Sequence, residues 1–146
     1  MSIASRTTQT TWEGSLAAGV GQLGASSSGV LDGQEVTWGS RTEAPGGKTS
    51  PEELAAAAHS SCFSMALSLK LGENGTPADR LQVEATVTLD EVDGLPTITT
   101  SALKVRAQVP GITESDFQRV VGDAAGLCPV SRLFAGAVIT VDASIA

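Results

Sequence analysis

Cys62 and Cys128 are the only two thiols in the chain. A permanent structural staple is not expected of them in a cytosolic protein, because that compartment keeps thiols reduced unless the pair is catalytic or sensing. They read either as two inert core residues or as one redox pair. They stand 66 positions apart (128 − 62), so only the tertiary fold can bring their Cα atoms within the roughly 7 Å that a disulfide requires. Cys62 falls about eleven residues inside an expected helix, where the positive end of the helix dipole has faded. Burial raises a thiol's pKa, so a nucleophilic Cys62 needs a cation or a hydrogen-bond donor beside it; on spacing alone it reads as a small buried hydrophobe. Cys128 precedes Pro129, a pattern that caps a turn or opens a short helix whose unpaired backbone N–H groups favour a thiolate.

Three further side chains stand close to this chemistry. His59 lies one turn before Cys62 on the same helix face and reads as a hydrogen-bonded core histidine, or as a base for the thiol in a hydrolase. Taken singly, Arg41 is a loop arginine and Glu52 a first-turn glutamate, both of kinds that are usually solvated. Glu52 precedes Cys62 by ten helical residues, about 15 Å at the rise of an α-helix, so it can serve the thiol only through a long cation or across a subunit interface. Asp90, Glu91, Glu114 and Asp116 read as capping or solvated charges, and Trp12 and Trp38 as sheet packing or the lining of an apolar pocket. A single histidine and two cysteines with no Cys-x-x-Cys are too few soft ligands for zinc or haem, so no metal or other cofactor is expected.

These residues need elements to position them. The chain of 146 residues is 41% hydrophobic, enough for one compact domain with a real core. Its formal net charge of -7, with no cluster of Lys and Arg, speaks against nucleic acid and membrane surfaces as partners. Met1 to Arg6 lack a basic start followed by an apolar run, so a cytoplasmic protein without a secretory signal is expected. Leu54 to Leu71 is apolar over nearly the length of a membrane span, but His59, several serines and Lys70 make it a buried helix of a globular fold.

Thr7 to Trp38 is β-branched and broken by glycines, as short antiparallel strands with turns near Glu13-Gly14 and Asp32-Gly33 would be. Arg41 to Ser50, with Pro45, Gly46 and Gly47, reads as a flexible loop. Ser50-Pro51-Glu52-Glu53 then combines a cap, a proline at the first helical position and a glutamate able to bond back to the cap, which predicts a helix from Pro51 to about Leu71. Its apolar residues run nearly all round, as in a helix covered by sheet, partner or both. Leu81 to Asp90 alternates with period two, a turn at Asp93-Gly94 follows, and Leu103 to Val109 continues as a second strand. Ile98 has the opposite parity, which predicts a bulge near Thr99 to Ser101. Phe117, Val120, Val121 and Ala124 mark a helix starting at Thr113 and ending at Gly126; a short helix from Cys128-Pro129 to Phe134 and a strand over Val138 to Val141 complete an α+β order.

Thr49-Ser50-Pro51-Glu52-Glu53-Leu54, Ala57-Ala58-His59-Ser60-Ser61-Cys62-Phe63-Ser64-Met65-Ala66-Leu67-Ser68 and Cys128-Pro129-Val130-Ser131 together resemble the OsmC/Ohr family of organic hydroperoxide reductases. The resemblance extends through Trp12-Glu13-Gly14, Ser28-Gly29-Val30-Leu31, Leu69 to Glu73 and Val109-Pro110-Gly111-Ile112, so it covers essentially the whole chain and favours the OsmC branch. It implies a single OsmC-like domain over residues 1–146, with antiparallel sheets around a long central helix, in an intertwined homodimer with sites at the subunit interface. It also implies four site residues: Cys62 as the peroxide-attacking thiol, Cys128 as the resolving thiol, Arg41, and Glu52. No arginine lies between Trp12 and Trp38, which leaves Arg41 as the candidate for the family arginine; Glu53 is an alternative to Glu52, although the motif position favours Glu52.

The activity implied is a peroxidase of oxidative-stress defence that converts organic hydroperoxides to alcohols through a Cys62 sulfenic acid and a Cys62–Cys128 disulfide. A dithiol, for which the family suggests lipoylated proteins, would restore the thiols. Phe63, Met65 and the tryptophans are expected to wall the substrate pocket. The rival readings are a redox sensor or apolar-ligand binder that uses the same cysteines without efficient turnover, and a Cys62–His59 hydrolase.

Overall fold

In the computed structural model, which describes residues 1–146, the chain forms two compact units, 1–54 and 55–146. In the first, β1 (Gln9–Glu13), β2 (Val20–Gly24) and β3 (Glu35–Val36) form an antiparallel sheet in that order. Gly21 pairs with Trp12, and a Cβ at Gly21 would stand 2.9 Å from the indole and 2.8 Å from the Val36 side chain, so the sheet closes over this position only because the residue is glycine.

Arg41 does not lie in a loop. It belongs to a short helix, α1 (Trp38–Thr42), capped by Thr37 and Ser40, each of whose side chains accepts a hydrogen bond from the other's backbone N–H. Five residues are too few to show a helical period, and serine in the place of the usual Glu or Gln hides the cap. The Ser40 hydroxyl also donates to the Thr49 carbonyl at 3.0 Å, and Thr49 N–H donates to Glu35 O at 2.9 Å. The residues after α1 are therefore tied back to β3.

Helix α2 (Pro51–Glu73) begins where the cap sequence requires. Ser50 Oγ accepts from Glu53 N–H, while the Glu53 carboxylate accepts from the Thr49 hydroxyl at 2.7 Å instead of bonding back to the cap. In the second unit α2 packs His59, Phe63, Ala66, Leu67 and Leu71 inward. Met65 and Leu69, at 74% and 53% exposure, stand on the other face.

β4 (Arg80–Val92) and β5 (Leu95–Gln108) form the long hairpin, turning at Asp93 and Gly94, both with positive φ as a two-residue hairpin turn demands. Thr88 pairs with Thr100 and Leu89 with Ile98, which leaves Thr99 as the extra residue of a bulge and accounts for the parity change at Ile98. Helix α3 (Glu114–Leu127) buries Phe117, Val120, Val121 and Ala124, the face its spacing predicts. α4 (Pro129–Leu133) follows, and β6 (Val138–Ile145) returns to pair with β5 in parallel, from Thr100↔Val138 to Ala107↔Ile145. The expectation of purely antiparallel sheets fails here because the connection from β5 to β6 carries two helices, the length of crossover that a parallel pair needs. The core of this unit joins Phe63, Leu67 and Leu71 to Leu103, Val105 and Ala107 of β5 and to the buried face of α3. No helix is long and apolar enough to cross a membrane.

Candidate active site

Within the first unit, α1 and the first turn of α2 bring Arg41 and Glu52 together. Arg41 Nε donates to both carboxylate oxygens of Glu52, at 3.0 and 3.2 Å, and its Nη2 donates to Oε1 at 2.7 Å. This fork fixes the guanidinium plane in a way a lysine would not. Glu52 is only 9% exposed while the Arg41 side chain remains 28% exposed, so the carboxylate acts as the buried anchor and the cation keeps an open side. The arginine also lies over the Trp38 ring, 6.0 Å from its centre. Glu53 faces Thr49 instead, so of the two glutamates it is Glu52 that holds the arginine.

Beside this pair, Trp12, Leu16, Val36, Thr37, Trp38, Arg41 and Pro51 line a small depression of about 80 Å³. Both tryptophans thus line the same depression as Arg41. Of the other expected pocket walls, Phe63 is wholly buried in the core of the second unit, and Met65 borders a groove of that unit with Ser64, Ser68, Leu69 and residues 78–81. Helical spacing of apolar residues marks core and surface alike, so it did not separate those roles.

The second unit brings the two cysteines together. Cys62 is half-buried, Cys128 is fully buried, and both are free thiols. Cys128 closes α3, with its N–H donating to Ala124 O at 2.9 Å, and it also caps α4, where Arg132 N–H donates to its carbonyl at 3.1 Å. Its sulfur accepts from Ser131 N–H at 3.5 Å. The two thiols act on one another. Burial pushes Cys62 up, more than the Val130 N–H offsets, and its neighbour Cys128 pushes it further. For Cys128 burial again works against the thiolate, but the side chain and backbone of Ser131, then Cys62 and the Val130 N–H, outweigh it and hold this thiol below its ordinary value. Within the second unit these effects favour the anion on Cys128 over Cys62.

His59 is fully buried behind them. Its Nδ1 meets Ser101 Oγ at 2.6 Å and its Nε2 meets Ser131 Oγ at 2.8 Å, and Phe134 stands edge-on to the ring at 5.2 Å. Burial lowers its pKa and so favours the neutral ring. With both nitrogens engaged by serine hydroxyls, none is left free to take a proton from Cys62, and the hydrolase arrangement loses its base. Sequence reasoning assigned no task to Ser101 or Ser131. Ser131 carries a local signal, a hydroxyl three residues after a capping cysteine, whereas Ser101 is one polar residue in a long strand and carries none.

The model of the OsmC-like protein family matches residues 44–143. The chain is 45% identical over 134 residues to the peroxiredoxin OsmC of Escherichia coli (strain K12), covering 92% of each protein. It is 33% identical over 95 residues, 62% of this chain and 63% of the relative, to the organic hydroperoxide resistance protein-like 2 of Staphylococcus epidermidis. Among solved structures it resembles the organic hydroperoxide resistance protein OhrB of Bacillus subtilis, with a TM-score of 0.69 at 29% identity over 96% of this chain and 98% of the other. The OsmC-like protein of Mycoplasma pneumoniae, with a TM-score of 0.75 at 11% identity and 99% of both chains covered, shares the α+β fold. By family model, by sequence over nearly its whole length and by fold, the chain belongs to the OsmC family.

Proposed function

We propose that this protein is a two-cysteine thiol peroxidase that reduces organic hydroperoxides to alcohols in defence against oxidative stress, with Cys62 as the attacking thiol and Cys128 as the resolving one. The observation that carries the reading is that two cysteines 66 positions apart (128 − 62) lie close enough for each to change the other's acidity. The Cys62 thiolate attacks the terminal peroxide oxygen; the O–O bond breaks, the alkoxide takes up a proton and leaves as alcohol, and Cys62 becomes a sulfenic acid. The Cys128 thiolate then attacks the Cys62 sulfur: the S–S bond forms, the S–O bond breaks, and hydroxide leaves as water. A dithiol, in this reading a lipoylated protein, reduces the disulfide by exchange and is itself oxidised.

Cys62, held up by burial and by Cys128, needs a cation to ionise first. Arg41, held in plane by Glu52, is assigned to that task and to polarising the peroxide. The exposed Met65 and Leu69 face of α2 supports a homodimer in which a second copy covers it, and the two units act as one domain of 146 residues in the cytoplasm.

The test is consumption of cumene hydroperoxide and of hydrogen peroxide by pure protein with dihydrolipoamide or dithiothreitol, beside Cys62→Ser. Fast loss of the organic peroxide that depends on Cys62 is expected. Loss that stops after one equivalent with either reductant overturns the peroxidase in favour of a sensor.

A further inference from the structure

The buried polar chain Ser101–His59–Ser131 ends on Cys128, and the thiol chemistry above leaves it without a task. It joins three elements distant in sequence, β5, α2 and α4, and both of its joints are short hydrogen bonds inside the core. Core packing alone does not call for it, since a buried histidine with two serine partners costs more desolvation than an apolar side chain of the same volume. Its geometry has a direction. Ser131 Oγ is bonded to His59 Nε2, while Ser131 N–H donates to the Cys128 sulfur, so one residue links the histidine to the sulfur. A hydroxyl has one proton to give. If His59 carries its proton on Nδ1, Ser131 must give its own proton to Nε2; if His59 carries it on Nε2, that N–H donates to Ser131 Oγ and frees the Ser131 O–H for the sulfur.

We propose that His59 and Ser131 are positioning residues for Cys128: His59, as the Nε2–H tautomer with Nδ1 accepting from Ser101, orients the Ser131 hydroxyl so that its O–H joins its backbone N–H in stabilising the Cys128 thiolate. The inference rests on the reading of Cys128 as resolving thiol and refines it. Attack of Cys128 on oxidised Cys62 needs the thiolate; once the S–S bond has formed, the sulfur carries no charge and the Ser131 donors lose their anionic acceptor. When a dithiol attacks Cys62 in the reverse direction, the same donors stabilise Cys128 as leaving group, so the chain assists both halves of the cycle. The acidity of Cys128 agrees, since Ser131 heads the interactions that favour its anion, and Cys62 is the only titratable side chain bearing on it.

The chain has one histidine and no tyrosine, which makes two direct measurements possible. Thiolate absorbance in the ultraviolet, free of phenolate, reports Cys128 ionisation in a Cys62→Ser background, and the ¹⁵N spectrum of the single histidine reports its tautomer in the wild-type protein. Expected are the Nε2–H form in reduced protein and, in Ser131→Ala and His59→Leu, a Cys128 ionisation constant lowered about tenfold, with His59→Gln, whose amide can still donate to Ser131, within about threefold of the parent. Ser131→Ala removes one oxygen and carries the test even where His59→Leu does not fold. An unchanged titration in folded Ser131→Ala, or an Nδ1–H tautomer, overturns the inference while leaving peroxide turnover intact. Absence of turnover in the wild-type protein would remove the peroxidase instead, and leave a shifted titration standing.

Discussion

The arginine–glutamate pair and the cysteine–histidine cluster are built on opposite physical terms. Arg41 and Glu52 are eleven positions apart, charged, and held by a fork of three hydrogen bonds with the cation partly open to solvent. His59, Ser101, Cys128 and Ser131 come from three separate places in the sequence, are all buried, and include no side chain with a permanent charge. A charge kept at the surface avoids most of the desolvation cost and still offers donors to an anion. Inside the core, where an unpaired charge is expensive, acidity is set by single hydrogen bonds instead. In the proposed mechanism the two thiols therefore receive help of different kinds: Cys62 is assigned an outside cation, whereas Cys128 has the neutral donors of its own unit beside it.

That contrast can be broken most sharply at the attacking thiol. Cys62→Ser should bring peroxide turnover down to background, while Cys128→Ser should complete one reduction and then accumulate sulfenic or sulfinic acid on Cys62, read by mass spectrometry. Turnover surviving in Cys62→Ser would reverse the two roles. Next in size, Arg41→Ala should slow Cys62 oxidation about a hundredfold, the order of effect seen when one preorganised donor to developing charge is removed. Glu52→Gln keeps the shape and loses the charge-assisted fork, so a smaller loss, about tenfold, is expected, with Arg41→Lys no better because a lysine cannot restore the plane. Equal rates for Arg41→Ala and wild type in stopped-flow oxidation would show that the cation does not reach the thiol's chemistry.

Two smaller effects test the buried side. Leu67→Ala, at the centre of the inward face of α2, should cost about 2–5 kcal/mol in denaturant unfolding. A cost near zero would mean that the helix is not packed as described. His59 has its pKa lowered below the ordinary 6.5 by burial, so below that value the unfolded chain binds a proton that the folded protein does not. Stability should therefore be full above about pH 6.5 and fall as the pH drops from there toward the folded pKa, and His59→Gln should flatten that part of the curve. An unchanged curve in the variant would assign the acid loss to carboxylates.

Much of the scaffold was legible, and for identifiable reasons. Ser50-Pro51 announced the start of α2, the parity change at Ile98 located the Thr99 bulge, and the spacing of Phe117, Val120, Val121 and Ala124 marked the buried face of α3. Each depends on residues near one another in sequence. Arg41 was misplaced in a loop because α1 is too short for a period to register, and the parallel pairing of β6 was missed because pairing direction depends on the crossover and not on the strand's own residues. The site divided in the same way. Both cysteines, and Glu52 ahead of Glu53, were singled out from type and motif, but that Glu52 bonds Arg41 while Glu53 bonds Thr49 depends on the direction each side chain takes on the first turn of α2, and the bond of Ser101 to His59 was visible only in the fold.

By itself, the sequence determined the family, the order and most boundaries of the elements, and the pair of thiols on which the proposed chemistry turns. These are properties of local pattern, carried by backbone preference and by the periods of two and 3.6 residues. Only the tertiary structure decided which carboxylate holds Arg41, that the two cysteines act on each other's acidity, and that a histidine expected as a possible base is occupied on both nitrogens by serines from distant elements. Those outcomes depend on distances and donor directions between segments up to 72 positions apart. Hydrogen bonds and pKa shifts vary too steeply with such distances for residue type and spacing to determine them.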